Sequence, residues 1–253
     1  MGKIERARAI YRRGGLSALL DEIRRYVILH QLQPRVTNDG LYQSLGELQM
    51  RSPDRLRKYW HDPTDEYDDL DLQLRLNRTP FLFELLEPYV RQSDPILELG
   101  CGVGRNLNYL HECGYTDLSG VEINDEAIAI LRREFPTLAR DSTLYNESIE
   151  DTITRLPTNG FELTFTLSVL LVIHPEHEFV FDEMVRVTNG HIITIENEES
   201  YSHKQVARNY AEVFSERGCE AVRTVEGSEI AERTDMRPEY RAHVLRVDRS
   251  ERD

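Results

Sequence analysis

Glu98-Leu99-Gly100-Cys101-Gly102-Val103-Gly104 joins a short apolar run, Ile96 to Leu99, to a segment that reads as a helix from Asn106 to His111. Glycines at such a junction permit positive φ and let a ligand touch main chain where a Cβ would collide. A turn of this kind after the first strand of a parallel sheet lies at the switch point, beyond the carboxyl ends of the strands, where ligands bind. The dinucleotide register G-x-G-x-x-G fails here. Gly100 and Gly102 would need a glycine at 105, which is Arg105, and Gly102 and Gly104 one at 107, which is Leu107. A nicotinamide oxidoreductase is therefore disfavoured. The spacing is instead E-x-G-x-G-x-G, and a second acid, Glu122, ends the next apolar run. His174 follows the fourth such run and is the first candidate for a general base, since imidazole titrates near neutrality. A histidine that caps a helix is the alternative at that position. His177, Glu196, Tyr201 and His203 come after it as candidate bases, and Cys101 reads as a small packing residue rather than a nucleophile.

The elements that must hold these groups alternate. Strands are expected at Ile96 to Leu99, Leu118 to Val121, Thr143 to Tyr145, Phe161 to Leu167, His191 to Ile195, Glu220 to Val225 and Tyr240 to Val247. Between them lie helical patterns. One is capped by Asn124 or Asp125 with Ile128, Leu131 and Phe135 as its stripe. Another runs through Phe181, Met184 and Val185 to a stop near Asn189-Gly190, and a third is marked by Val206, Tyr210, Val213 and Phe214. This rhythm predicts an α/β fold: a mostly parallel seven-stranded sheet with helices on both faces and right-handed crossovers. Two closing strands with only a loop between them predict an antiparallel terminal hairpin.

The glycine string with Glu122 resembles the class I S-adenosylmethionine-dependent methyltransferases, over roughly residues 93–250. The resemblance implies a Rossmann-like methyltransferase fold with S-adenosyl-L-methionine as cofactor. In that family the loop carrying Glu98, Gly100, Gly102 and Gly104 lies against the methionyl part. An acid at the place of Glu122 takes the two ribose hydroxyls, a task that suits a group with acceptors only. Ser148 stands where an acid usually reaches the adenine amino group, with Ile149 beside it. Gly120-Val121-Glu122-Ile123-Asn124 and Val169 to Glu176 are also similar to methylases associated with pseudaminic acid biosynthesis, and the opening residues look like those of proteins from haloarchaeal glycan-assembly loci. Together these imply a sugar, sugar acid or glycan precursor as the methyl acceptor. The alternatives are another small metabolite, or a non-catalytic cofactor-binding module that acts through its N-terminal helix. A hydroxyl acceptor would need a base; a carboxylate acceptor would not.

Charge divides the chain unevenly. Its 253 residues carry a net charge of −14, with 28 Arg against three Lys. Residues 1–30 hold seven bases against three acids, net +4, which leaves −18 for the rest. Leu16, Leu19, Leu20, Ile23 and Val27 recur there at helical spacing, so residues 1–36 read as a basic amphipathic leader. It would either dock on the domain or lie on an anionic membrane surface, and docking is the expectation. Residues 37–92 read as a helical cap with an acidic linker at 62–71, and residues 93–253 as the methyltransferase domain. The acidic balance argues against nucleic acid as partner. No apolar run approaches the ~20 residues of a membrane span, and none stands at the N-terminus. Cys101, Cys113 and Cys219 show no metal-type spacing, no metal is expected, and a reducing cytoplasm is the expected location, with peripheral membrane contact as the alternative. The sequence does not indicate an oligomeric state.

Overall fold

A computed structural model describes residues 52–62, 70–200, 202 and 204–249. The basic leader, the acidic stretch at 63–69, Tyr201 and His203 lie outside the described residues. Helices α1 (Pro53–His61), α2 (Leu70–Gln73) and α3 (Thr79–Leu86) precede the first strand. Then follow β1 (Ile96–Leu99), α4 (Arg105–Glu112), β2 (Leu118–Val121), α5 (Asp125–Glu134), α6 (Pro136–Asp141), β3 (Thr143–Tyr145) and α7 (Ile149–Ile153). The chain continues through β4 (Phe161–Leu167), α8 (Phe179–Val187), β5 (Thr188–Asn197), α9 (Tyr210–Ser215), β6 (Cys219–Val225), α10 (Gly227–Arg233) and β7 (Tyr240–Val247).

The seven strands form one sheet in the order β3-β2-β1-β4-β5-β7-β6. The first five are parallel; β7 runs antiparallel between β5 and β6. The central strands β1, β2 and β4 are buried at nearly every position, as parallel strands under two helix layers must be. In β1, Ile96 packs with Leu82, Leu86, Leu107 and Leu110 on one side, while Leu97 and Leu99 pack with Ile153, Val180 and Met184 on the other. Each such side chain fully removed from water contributes roughly 1.5–3 kcal/mol. α3 belongs to this core, with Phe81, Leu82, Leu85 and Leu86 all buried.

Three expectations need correction. The helix through Phe181 and Met184 ends at Val187, and Asn189-Gly190 lie inside β5, which starts at Thr188. Thr188 closes α8 by donating its hydroxyl to the Met184 carbonyl, 2.7 Å, so the strand begins without a glycine stop. Phe135 packs against the same cluster as Ile128 and Leu131, as expected, but it stands at the C-cap of α5 rather than inside it, because Pro136 starts the separate helix α6. The last two strands do pair antiparallel, but α10 fills the connection expected to be a loop, its Ile230 buried against the sheet.

Candidate functional site

The chain must turn sharply where β1 meets α4, and the glycines make that turn. Gly100, Gly102 and Gly104 all have positive φ, at 70°, 52° and 78°. The loop is pinned to the neighbouring strand: the Gly100 and Cys101 N–H groups both donate to the Val121 carbonyl, at 2.8 and 3.0 Å. A Cβ on Gly100 would run into Val169, and one on Gly104 into Leu131. At Gly102 a Cβ would meet only the far end of the Gln73 side chain, at 2.9 Å. Gly102 is thus the glycine whose open side faces the cavity.

Glu122, one residue past β2, reaches back to this loop. Its Oε2 accepts the Gly102 N–H at 2.9 Å and its Oε1 accepts the Asn124 N–H at 2.8 Å. Burial pushes its carboxyl upward, and the two N–H groups pull against that. Asn124 caps α5 by accepting the Ala127 N–H at 3.0 Å, as expected. Glu98, at the end of β1, is 2% exposed. Its Oε1 accepts from Asn106 Nδ2 at 2.7 Å, while its Oε2 is buried with no partner. Burial pushes its carboxyl up to about 8, so the side chain is neutral at physiological pH. Arg105, noticed in the sequence only as a missing glycine, is largely buried beside it. It donates to the Gln73 carbonyl (2.8 Å) and the Thr79 hydroxyl (3.0 Å).

These groups line one cavity of about 760 Å³, which continues over the ends of β4, β5 and β7. Ile149 and Ser148 line it near β3. Ser148 is committed to its own helix: its hydroxyl donates to Asp151 Oδ2 (2.8 Å) and accepts the Asp151 N–H (3.1 Å), which caps α7. Within that turn Glu150 carries the acid that faces the cavity, 3.1 Å from His177 Nδ1.

His174 also lines the cavity, with its side chain 12% exposed. Its Nδ1 accepts the Glu176 N–H at 3.1 Å, capping the short 3₁₀ turn Pro175–His177. Burial holds the ring below its usual range. In the neutral ring an accepting Nδ1 places the proton on Nε2. His174 therefore presents a donor while the cap is intact, and it can take a proton only by giving the cap up. Glu196 is turned away from such work. It is fully buried and accepts the N–H groups of Val169 (3.0 Å) and Leu171 (3.5 Å), which folds the loop after β4. Its carboxyl is pushed up to about 7 by burial. Cys101 is a buried thiol driven well above its usual range, the packing residue expected.

Sequence reasoning missed Ser168, Tyr240, Arg78, Arg237 and Trp60, which also line the cavity. No motif marks them. Only the β5–β7 pairing, which sets Asn197 opposite Tyr240, brings the start of β7 to the ligand end of the sheet.

A family model described as a methyltransferase domain matches residues 96–190. The mRNA cap guanine-N(7) methyltransferase of Eremothecium gossypii is 31% identical over 64 residues, which is 25% of this chain. The chain spans only 15% of that curated relative's length. Among solved structures, magnesium protoporphyrin IX methyltransferase from Synechocystis PCC 6803 with bound S-adenosylmethionine superposes with a TM-score of 0.54 at 14% identity. The match covers 85% of this chain and 99% of that one. A methyltransferase in complex with the Haloferax volcanii Trm112 methyltransferase activator gives 0.58 at 14% identity, covering 74% and 96%. At such identities the likeness is one of fold. The sheet order and the glycine turn are those of a Rossmann-like methyltransferase fold, and residues 96–190 match a methyltransferase domain.

Proposed function

We propose that the protein moves a methyl group from S-adenosylmethionine to an oxygen of a sugar, sugar acid or glycan precursor. The cofactor supplies a methyl already activated on a sulfonium. The chain's own task is alignment, which can be worth up to ~7–11 kcal/mol in well-oriented systems. Gly102 and the loop around it would carry the methionyl part, and Glu98 Oε2, buried without a partner, suits its ammonium. Arg105 suits the methionyl carboxylate. Glu122 would exchange its hold on the loop for the ribose hydroxyls, and Ile149 would pack on the adenine, with Glu150 in the place first given to Ser148.

The observation that carries the acceptor class is the polar far end of the cavity, where Ser168, Asn197, Ser200 and Tyr240 line the same space as Trp60. Hydroxyl and amide groups beside an aromatic ring match the faces of a sugar. His174 completes this end as a group that orients the acceptor oxygen through Nε2–H, or removes its proton if the cap opens. The reading includes a cytoplasmic location, which the free thiols Cys101 and Cys113 support. Among the described residues no helix is long and apolar enough to cross a membrane. The test is incubation with labelled S-adenosylmethionine and a panel of monosaccharides, uronic acids and nucleotide sugars, with products read by mass spectrometry. A methylated sugar supports the assignment; S-adenosylmethionine binding with label appearing only on non-sugar metabolites contradicts it.

A further inference from the structure

The far end of the cavity shows its ligand mainly hydrogen-bond donors and positive charge. Ser168 follows β4 with φ at +63°, in the left-handed region. That conformation costs a residue with a Cβ roughly 1–3 kcal/mol, and it persists only where the surroundings enforce it. The reason for a serine here in place of a glycine is its hydroxyl, which lies 2.9 Å from the Tyr240 hydroxyl. Two hydroxyls joined by one hydrogen bond own two protons. One lies between them and the other is left to point outward, from whichever partner the ligand requires. Burial holds the Tyr240 phenol above its usual range, so the pair keeps both protons at neutral pH.

Two further groups act in the same sense. Trp60 Nε1, in the wall of the cavity, is buried and has no hydrogen-bond partner, so a donor waits there for an acceptor atom. Arg78 is answered by Asp235, with bonds of 3.0 and 3.2 Å. Arg237, on the same segment as Asp235 and Tyr240, forms no ion pair among the described residues. Lys204, over the Tyr59 and Trp60 rings, adds a second positive charge to the lining. Three acids of the cavity are engaged elsewhere, Asp235 with Arg78, Glu150 with His177 and Glu122 with the glycine loop, and the fourth, Glu98, lies at the glycine-loop end with its carboxyl pushed up to about 8 by burial. Positive groups at this end of the cavity, on a chain of net −14, select a ligand by charge.

We propose that the methyl acceptor carries an acidic group, a carboxylate or a phosphate, held by Arg237 with the Ser168–Tyr240 pair donating to it. This rests on the methyltransferase reading and narrows its acceptor to acids. The experiment is calorimetry on the full chain saturated with S-adenosylhomocysteine, titrated with D-glucuronate, D-glucose 6-phosphate and D-glucose. At least one of the two acids is expected to bind tenfold or more tightly than glucose, and which of them does so separates carboxylate from phosphate. In Arg237→Gln that preference should fall to within about threefold, and in Tyr240→Phe the acid alone should weaken, with S-adenosylhomocysteine affinity unchanged in both. Equal binding of acid and neutral sugar, no binding of either acid, or an acid preference that survives Arg237→Gln overturns the proposal. Failure of S-adenosylhomocysteine to bind the parent chain is a different result, and it strikes the methyltransferase reading itself.

Discussion

Glu122 Oε2 accepts the Gly102 N–H at 2.9 Å, so the acid after the second strand and the middle glycine of the loop after the first hold each other across 20 residues. The two signals in the sequence that point to one cofactor are thus in contact. The contact also makes Glu122 a brace for the loop, because its other oxygen takes the Asn124 N–H. Losing the carboxylate leaves two N–H groups without their acceptor. An acid at a strand end, read in sequence alone, suggests no such cost.

Gly102 and Gly100 separate binding from folding. At Gly102 the obstacle to a side chain is the mobile end of Gln73 together with a positive φ. Gly102→Val should therefore fold, with a loss of roughly 1–2 kcal/mol from the left-handed backbone, yet S-adenosylhomocysteine binding should fall by roughly a hundredfold or more, since the branched side chain fills the cradle. Gly100→Ala, whose Cβ meets Val169, should lose stability first. Melting curves and calorimetry on both variants check the pair. Equal affinity in Gly102→Val and the parent would show that no ligand approaches the loop.

The His174 cap gives a substitution that distinguishes its two roles. Asparagine is among the best N-cap residues, so His174→Asn keeps an acceptor for the Glu176 N–H but cannot take a proton. If the ring acts as a base, turnover should drop by about 10²–10⁴, with the low-pH limb of the rate profile lost. If it acts through its cap and its Nε2–H, the drop should stay under about tenfold. We expect the smaller effect, because Nδ1 is already engaged.

How much of this was legible beforehand depended on how local the signal is. Strands β1, β2, β3, β4 and β7 fall at the expected residues because local strand-favouring residues and the turn residues that bound them mark each one. Asn124 was legible as a cap for the same local reason. Ser148 was assigned from its place after the third strand, but its hydroxyl is spent on Asp151, a partner three residues away that no strand pattern reveals. Ser168 and Tyr240 lie 72 residues apart and meet only because β7 inserts antiparallel next to β5. Glu196 read as a strand-end acid open to the site. Its role in holding Val169 and Leu171 is fixed by long-range folding of the loop.

Glu98 makes stability and binding depend on pH in opposite senses. Its folded carboxyl sits at about 8 against an ordinary value of 4.5, so the native state holds a proton that the unfolded chain releases. Stability from this group is complete below about pH 4.5 and is lost as pH rises through about 8. A ligand ammonium beside Oε2 favours the ionised form, so S-adenosylhomocysteine binding at pH 7 should release protons and tighten as pH rises toward 8. Glu98→Gln should flatten its share of the stability curve and abolish that release. Calorimetry in buffers of different ionisation enthalpy reads the proton directly. Unchanged proton release in Glu98→Gln would remove Glu98 from the cofactor site.

The most direct measurement is calorimetric titration of the parent chain and of Glu122→Ala with S-adenosylhomocysteine, alongside their melting curves. Hydrogen bonds to a charged group are worth about 1.5–3 kcal/mol, so the variant should bind roughly 10- to 150-fold more weakly. It should also melt lower, by the cost of the freed Gly102 and Asn124 N–H groups, yet in a single cooperative step. Equal affinity in the two proteins, or no binding to the parent, would contradict the assignment of this loop and this acid to the cofactor.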